Sequence, residues 1–510
     1  MSPRPIDIQT CLPNARLPPG SQIQVKQISC DSRDVPVGSV FVAIRGTRSD
    51  GHHFVADAVA AGAKAVVVER ARDDLTVPQI VVESTRQAWN QLCMSLHGDP
   101  QRQLFIAGIT GTNGKTTTAW LLRNILIAAG HSVGMLGTVE YGDGQTRFAS
   151  QLTTPDAEIQ APLMASMTSQ GTRYCVMEVS SHALHQERCG ALQFSTAAIT
   201  NITQDHLDYH QTDTAYRMAK ARIGGLLHSD APLLLNGDDC GIQQLLKETS
   251  FNCPVILFGR NTASELRYSV LAQTHRSQRL HLALAQGDVE LRVRMIGDHN
   301  AANCMAAAGL AEQLGVSLPA IAKGLEFTRE VPGRLQRIDE GQPFQVFVDY
   351  AHTPDALRSC LTAVRKFTHG NLICVFGAGG DRDSAKRPAM ARATTSADRV
   401  LVTSDNPRTE SPAKIIGDIL KGFDTLRHVD VDPDRYGAIH RALQVAQPGD
   451  AVVVVGRGHE PAQTIGTVSV AFDDRLVARQ ILRQLTTVPL KTVPEQQGKS
   501  GEPGVLTFPV

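Results

Sequence analysis

In the stretch GITGTNGKTTTAW, Gly111, Thr112, Asn113, Gly114, Lys115, Thr116 and Thr117 are the residue types of a phosphate-binding loop. Glycines let backbone N–H groups approach an anion, a lysine reaches the β- and γ-phosphates, and a threonine hydroxyl can ligate Mg²⁺. The spacing departs from the usual pattern of Gly, about four residues, then Gly-Lys-Ser/Thr. Ile109 stands where the first glycine would fall, Gly108 is one residue early, and Gly111 lies three before Gly114. A plain glycine turn is the alternative. An apolar strand before the loop and a helix from about Lys115 favour the phosphate reading, with Gly108 closing the strand.

Other residues offer further chemistry. Glu178, in MEVSSHALHQER, ends an apolar run, where a carboxylate can hold Mg²⁺ or simply cap a helix. Asp205, His206, Asp208 and His210 crowd into TNITQDHLDYH. His206 and His210 have the spacing of helical zinc ligands, but no HExxH glutamate accompanies them, so metal site and polar turn both stand. TDTAYRMAKARI reads as a helix capped near Asp213, with Tyr216, Ala219 and Ile223 on its apolar stripe. Lys220 borders that stripe, and on sequence physics alone it is solvated or snorkelling. GGDRDSAKRP, DNPR and GRGHE each follow a strand candidate. Together they suggest a zwitterionic pocket in which an arginine fork grips a carboxylate.

The elements that must position these residues alternate. Apolar runs at 104–110, 174–179, 197–200 and 233–235 are separated by helical patterns, as are FQVFVDY, NLICVFGAGG, DRVLVTSDNP and DAVVVVGRG. That alternation implies α/β architecture with two mainly parallel, doubly wound sheets. Ligands bind beyond the carboxyl ends of such strands, so the polar clusters could share one cleft. Short strands at 39–44 and 63–69 flank a helix, HHFVADAVAAGA, with Phe54, Ala58 and Ala61 on one stripe. The expected divisions are 1–101, 102–331, 332–487 and a disordered tail at 488–510, rich in Pro, Gly and polar residues. The 510 residues carry 50 basic and 50 acidic side chains, which gives no case for a nucleic-acid or membrane surface. No apolar run suggests a membrane span or secretory signal, and ten scattered cysteines suit a reduced cytoplasmic enzyme.

The motifs TGTNGKTTT, MEVSSH, TNITQDHLDYH, YRMAK, GDHNAAN, VPGRLQ, DYAHTPDAL, GGDRDSAKRPAM, DNPRTE, GRGHE and FDDR resemble, in order, those of the Mur ligases, from about residue 31 to about residue 475. The resemblance explains the loop, since this family's form places a glycine three before Gly-Lys. It implies a small α/β domain binding a UDP-linked substrate, a central P-loop ATPase and a Rossmann-like C-terminal domain. The implied reaction uses ATP and Mg²⁺ to add meso-diaminopimelate to UDP-N-acetylmuramoyl-L-alanyl-D-glutamate through an acyl phosphate. The enzyme would act as a cytoplasmic monomer in peptidoglycan precursor synthesis.

By motif, the resemblance makes Lys115, Lys220, Glu178 and His206 catalytic, with Lys220 carbamylated and, beside Thr116, Glu178 and His206, a magnesium ligand. Asn300, Arg334 and Asp349 join Gly111–Thr117 as ATP contacts, Arg334 completing the site on domain closure. Cys30, Ser32, Thr47, Arg48, Ser49, Thr153, Thr154, Ser180, Gln186 and Arg188 match contacts to the UDP substrate. Arg382, Asp405, Asn406, Pro407, Arg408, Gly456 and Glu460 match a diaminopimelate pocket. Arg457 stands where relatives often have lysine, and Gly224-Gly225 could end the Lys220 helix early. A lysine-adding ligase, a folylpolyglutamate-synthetase-like ligase, a P-loop switch without ligase activity and an inactive scaffold are the alternatives.

Overall fold

The computed structural model describes residues 4–18, 22–46 and 49–487; Thr47, Arg48 and the expected tail at 488–510 lie outside the described residues. Three sheets organise the chain. The first has four parallel strands, from Ile28–Ser29 through Val40–Val42 and Ala65–Val68 to Gln79–Val81. The helix between its two middle strands differs from the expected stripe. It is a 3₁₀ turn, Gly51–Phe54, followed by Val55–Ala60, and it buries Val55 and Ala58 while Phe54 and Ala61 face outward. The shorter helix turns the register away from the one a single helix would give.

The second sheet has eleven strands. Its parallel centre runs in the order Val133–Leu136, Tyr174–Glu178, Phe105–Thr110, Thr196–Ile199, Leu233–Asn236, Val255–Gly259. These strands are buried on both faces, which is why they read as continuous apolar runs. On one edge Glu140–Gly142 and Arg147–Ala149 add antiparallel; on the other Leu266–Thr274 joins in parallel, and Ser277–Leu284 and Gly287–Val293 follow antiparallel. From Phe105–Thr110 the chain winds first to one side and later to the other, so its carboxyl end is a topological switch point, where a ligand crevice forms. Gly108 does not close this strand but lies inside it, and a Cβ there would meet the Phe194 ring at 3.1 Å.

The third sheet places Gln345–Asp349, Ala451–Val455, Leu372–Phe376, Arg399–Val402 and Val429–Val431 side by side, all parallel. The short strand Gln336–Arg337 adds antiparallel to one edge. Parallel order puts the loops after 349, 376, 402 and 455 on one edge of the sheet. One apolar cluster joins the first sheet to the second, with Trp89 and Leu92 packed among Met164, Leu184 and Phe194. No helix among the described residues is long and apolar enough to cross a membrane.

Candidate active site

The helix Lys115–Ala128 starts at the switch point, behind a loop whose Gly111 and Gly114 have φ of 151° and 85°. A side chain at Gly111 would strike Thr200, and one at Gly114 would strike Asn303. Glycine is required at both positions. The next strand end braces the loop: Thr200 Oγ1 donates to Asn113 O at 2.6 Å, and Asn113 N donates to Asn201 Oδ1 at 2.8 Å. The first half of TNITQDHLDYH is therefore a scaffold for the loop.

Lys115 Nζ folds onto the carbonyls of Gly111 and Thr112, at 2.8 and 3.0 Å. Burial lowers its pKa, Glu178 opposes that, and Arg334 adds to it. Thr116 Oγ1 donates to Glu178 Oε2 at 2.7 Å and accepts from Arg334 Nη2 at 2.8 Å. Glu178, fully buried, also accepts from Thr138 N and Oγ1 at 2.8 and 2.9 Å. Thr138 was not singled out by any motif; its one sequence cue is that it follows the strand Val133–Leu136.

Lys220 is 1 % exposed, which overturns the expectation of a solvated or snorkelling side chain. Its helix, Asp213–Ala221, is capped by Thr212, whose hydroxyl accepts from Ala215 N, and it gives way to a 3₁₀ turn at Arg222–Leu226 containing Gly224-Gly225. Lys220 Nζ lies 4.5 Å from the centroid of the Tyr216 ring and has no acidic partner among the described residues. Burial first, then the charge of Lys115, lowers its pKa well below the ordinary value, against a weaker pull from Asp205. The environment thus favours the neutral amine.

His206 and His210 do not converge as zinc ligands. His206 takes a left-handed conformation, φ 55°, ahead of the short helix Leu207–His210, while His210 Nε2 pairs with Ser181 Oγ at 3.1 Å. Burial lowers the His206 pKa to about 3 despite Asp205. Asp205 is held ionised: burial would raise its pKa, but Lys386 at 3.2 Å, His206 and His352 lower it. No group of three or more His, Cys, Asp or Glu residues among the described residues forms a ready-made metal cage. Thr116 and Glu178 nonetheless suit Mg²⁺, which is commonly held by one or two carboxylates plus substrate phosphates. The guanidinium of Arg334 beside the same hydroxyl shows that this corner accepts a cation.

Most of these groups border a cleft of about 670 Å³ between the second and third sheets. Residues 112–117, His206, Lys220, Asn300, Arg334 and Asp349 line it. So do Thr153, Thr154, Ser180 and Arg188, and on the opposite wall Arg382, Asp405, Asn406, Arg408, Gly456 and Glu460. Asp349 accepts from Leu335 N and Ala351 N, at 2.5 and 2.7 Å, which fixes the chain beside Arg334. Asn300 donates to Ile296 O at 2.8 Å and accepts from Asn303 at 3.2 Å. Glu460 Oε2 accepts from Asn406 Nδ2 at 2.7 Å, and burial, then Asp405, raises its pKa. Arg408, at φ 50°, donates to Gly380 O at 2.7 Å; burial and Arg382 lower its pKa.

Gly111, Glu178, Gln186 and Pro407 stand behind the lining. Gln186 accepts from Arg188 at 2.6 and 3.0 Å and so orients it, while Pro407 belongs to the turn against Gly380. Cys30, Ser32 and Ser49 lie on the first sheet's side, away from the cleft wall. Cys30 is within electrostatic reach of Glu158, Arg86 and Asp156, and burial pushes its thiol up to about 12. Arg86 and Arg188 both approach Asp156, at 3.6 and 3.5 Å, a polar path from the cleft toward Cys30. Sequence reasoning missed the cross-sheet contacts: Asn113 to Asp355 at 3.1 Å and His459 to the Thr138 carbonyl at 3.3 Å. Arg457, which stands where relatives often have lysine, is fully buried, donates to Phe472 O at 2.8 Å and leaves Nε and Nη1 without hydrogen-bond partners.

Three family models match the chain: "Mur ligase family, catalytic domain" at 24–95, "Mur ligase middle domain" at 109–311 and "Mur ligase, glutamate ligase domain" at 333–458. The UDP-N-acetylmuramoyl-L-alanyl-D-glutamate–2,6-diaminopimelate ligase of Geobacillus kaustophilus is 39 % identical over 91 % of this chain and 96 % of that protein. The enzyme of the same name from Aquifex aeolicus is 40 % identical over 90 % and 94 %. A solved structure of such a ligase superposes with a TM-score of 0.67 at 30 % identity, covering 95 % of this chain and all of that one. Folylpolyglutamate synthase from Mycobacterium tuberculosis superposes at 0.59 with 19 % identity over 79 % of this chain and 95 % of that one, a likeness of fold alone. With the phosphate loop, its bracing strand ends and the opposed acidic–basic loops in place, the chain belongs to the Mur ligase family.

Proposed function

We propose that this protein adds meso-2,6-diaminopimelate to UDP-N-acetylmuramoyl-L-alanyl-D-glutamate at the expense of ATP, as a cytoplasmic monomer in peptidoglycan precursor synthesis. The observation that carries this reading is the single cleft walled by the phosphate loop on one side and by Arg382, Asp405, Asn406, Arg408 and Glu460 on the other.

In the first step the D-glutamyl γ-carboxylate attacks the γ-phosphorus, and the bond to the ADP oxygen breaks. Two anions must meet, so the step needs preorganised positive charge. Residues 111–117 offer backbone N–H groups and the start of a helix, and Lys115 and Arg334 supply the cations. A bound triphosphate would draw Lys115 Nζ off the loop carbonyls and favour its charged form. Asp349 and Asn300 hold the chain that carries Arg334 and the neighbouring wall. Thr116, Glu178 and His206 would hold Mg²⁺, whose charge offsets that of the phosphates when bound. Lys220 is suited to carbamylation: its neutral Nζ would form a bond to the carbon of CO₂ and lose a proton, which turns a neutral amine into an anionic carbamate.

In the second step the diaminopimelate amine attacks the acyl carbon, and phosphate leaves through a tetrahedral intermediate. Arg382 and Arg408 face the distal carboxylate, Asp405, Asn406 and Glu460 face the adjoining ammonium, and Pro407 and Gly456 shape the turns between them. Lysine lacks that second amino-carboxylate centre, so it would leave these polar groups unpaired. Thr153, Thr154, Ser180 and Arg188 take the muramoyl-peptide end, with Gln186 orienting Arg188; Cys30, Ser32, Thr47, Arg48 and Ser49 are assigned to the uridine end. The test is a reaction with γ-carboxylate-¹⁸O-labelled UDP-dipeptide. Expected are a UDP-tripeptide by mass spectrometry and one ¹⁸O in the released phosphate; product without label transfer would sink the acyl phosphate, and no product would sink the function.

A further inference from the structure

We propose that this protein carries a second anion site, for inorganic phosphate, in the seam between the central and C-terminal sheets. A separate cavity of about 220 Å³ lies there, lined by His275, Arg276, Arg294, Arg329, Arg334 and Arg337. These come from four places in the chain: the turn between Leu266–Thr274 and Ser277–Leu284, the end of Gly287–Val293, the end of Leu318–Phe327, and the strand Gln336–Arg337 with its approach. The convergence is therefore a product of the fold.

The positive charge is under-compensated. Asp339 pairs with Arg337 at 2.9 Å and stands 3.9 Å from Arg276, and Glu330 is the one carboxylate on the lining itself. Arg294 and Arg329 stand exposed on the rim of the cavity and have no ion pair or side-chain hydrogen bond among the described residues, so their guanidiniums are free to take an anion. The Nε atoms of Arg334 and Arg337 are buried without an acceptor. A buried donor with no acceptor costs free energy, and gathering like charges at the exposed rim adds a smaller, solvent-screened cost. A tetrahedral oxyanion relieves both at once, since guanidinium forks match its oxygens. Burial lowers the Arg337 pKa; Asp339 opposes that, and Arg276 adds to it less than Asp339 offsets.

The cavity also touches the main cleft, because Arg334 and Asn300 line both. Arg334 reaches Thr116 on the cleft side. An anion leaving the γ-phosphate position would thus be passed along one arginine to the next. That route rests on the proposed ligase reaction, whereas the binding site does not, and binding is measured without turnover.

The experiment is calorimetric titration of the full chain with inorganic phosphate, the main cleft being filled with a non-hydrolysable ATP analogue and Mg²⁺. One phosphate per chain is expected to bind. Arg294→Ala/Arg329→Ala should weaken it at least tenfold without changing affinity for the ATP analogue. Arg294→Lys/Arg329→Lys should restore only part of it, as charge without fork geometry. No phosphate binding under these conditions, or affinity in the alanine variant within twofold of the parent, overturns the site. Tighter binding of tripolyphosphate than of phosphate overturns free phosphate as its occupant.

Discussion

Arg408 has a left-handed backbone, φ 50°, which costs a non-glycine residue on the order of 1–3 kcal/mol, and its guanidinium lines the cleft beside Arg382. Such strain persists where the surroundings enforce it, here at the wall assigned to the diaminopimelate carboxylate. Arg408→Ala is expected to lower kcat/KM for meso-diaminopimelate by roughly a hundredfold or more, read by ADP release; unchanged kinetics with that amino acid would remove the assignment. Glu460 gives a pH prediction. Its carboxyl is raised above the ordinary range by burial and Asp405, and it must be ionised to accept from an ammonium. KM for diaminopimelate should therefore be low above that raised pKa and climb as pH falls through it, and Glu460→Gln should abolish the acid-side rise. A parent KM flat across the same range would contradict the role. Lys220 shows why residue-level reading has limits: its burial depends on what packs over its helix, which no spacing within that helix reveals.

Between elements, Arg435 on the helix Arg435–Val445 meets Asp474 on the helix Asp474–Thr487 through two hydrogen bonds of 2.8 and 2.7 Å, both side chains fully buried. The same guanidinium donates to Val455 O and Ser404 O, the carbonyls just before Gly456 and Asp405. One buried ion pair therefore ties two loops of the amino-acid pocket to the sheet. Asp474→Ala leaves a buried guanidinium uncompensated and should cost about 3–5 kcal/mol in urea unfolding; a loss below about 1 kcal/mol would contradict this account. Most parallel strands were legible because strands buried on both faces read as unbroken apolar runs, and the polar clusters at their carboxyl ends announced the cleft; Val133–Leu136, Val255–Gly259 and Val429–Val431 were not read. The edge strands Leu266–Thr274, Ser277–Leu284 and Gly287–Val293 were missed, although they alternate, because their exposed face dilutes the apolar signal with arginines and glutamines. Buried cations were the other blind spot. Arg387 pairs with Glu410 and Asp418 at 2.8 and 3.1 Å, partners that only the tertiary fold brings near.

At the scale of the molecule, the first and second sheets share an apolar core, whereas the second and third meet over the cleft through polar contacts. Asn113–Asp355, Asp205–Lys386, Thr116–Arg334 and Thr138–His459 all cross that gap. Polar seams between domains open more readily than apolar ones, so the C-terminal part is the one expected to move. Solution scattering should show contraction when the ATP analogue and UDP-dipeptide are added together, and no contraction would refute closure of the C-terminal part over the cleft. The central claim is that one cleft joins ATP-driven activation to recognition of a second amino-carboxylate centre. The initial rate of UDP-dipeptide-dependent ADP release, compared between meso-diaminopimelate and L-lysine, tests it most directly. The account predicts a kcat/KM preference for meso-diaminopimelate of roughly a thousandfold or more; equal use of the two amino acids, or a preference for lysine, would contradict it.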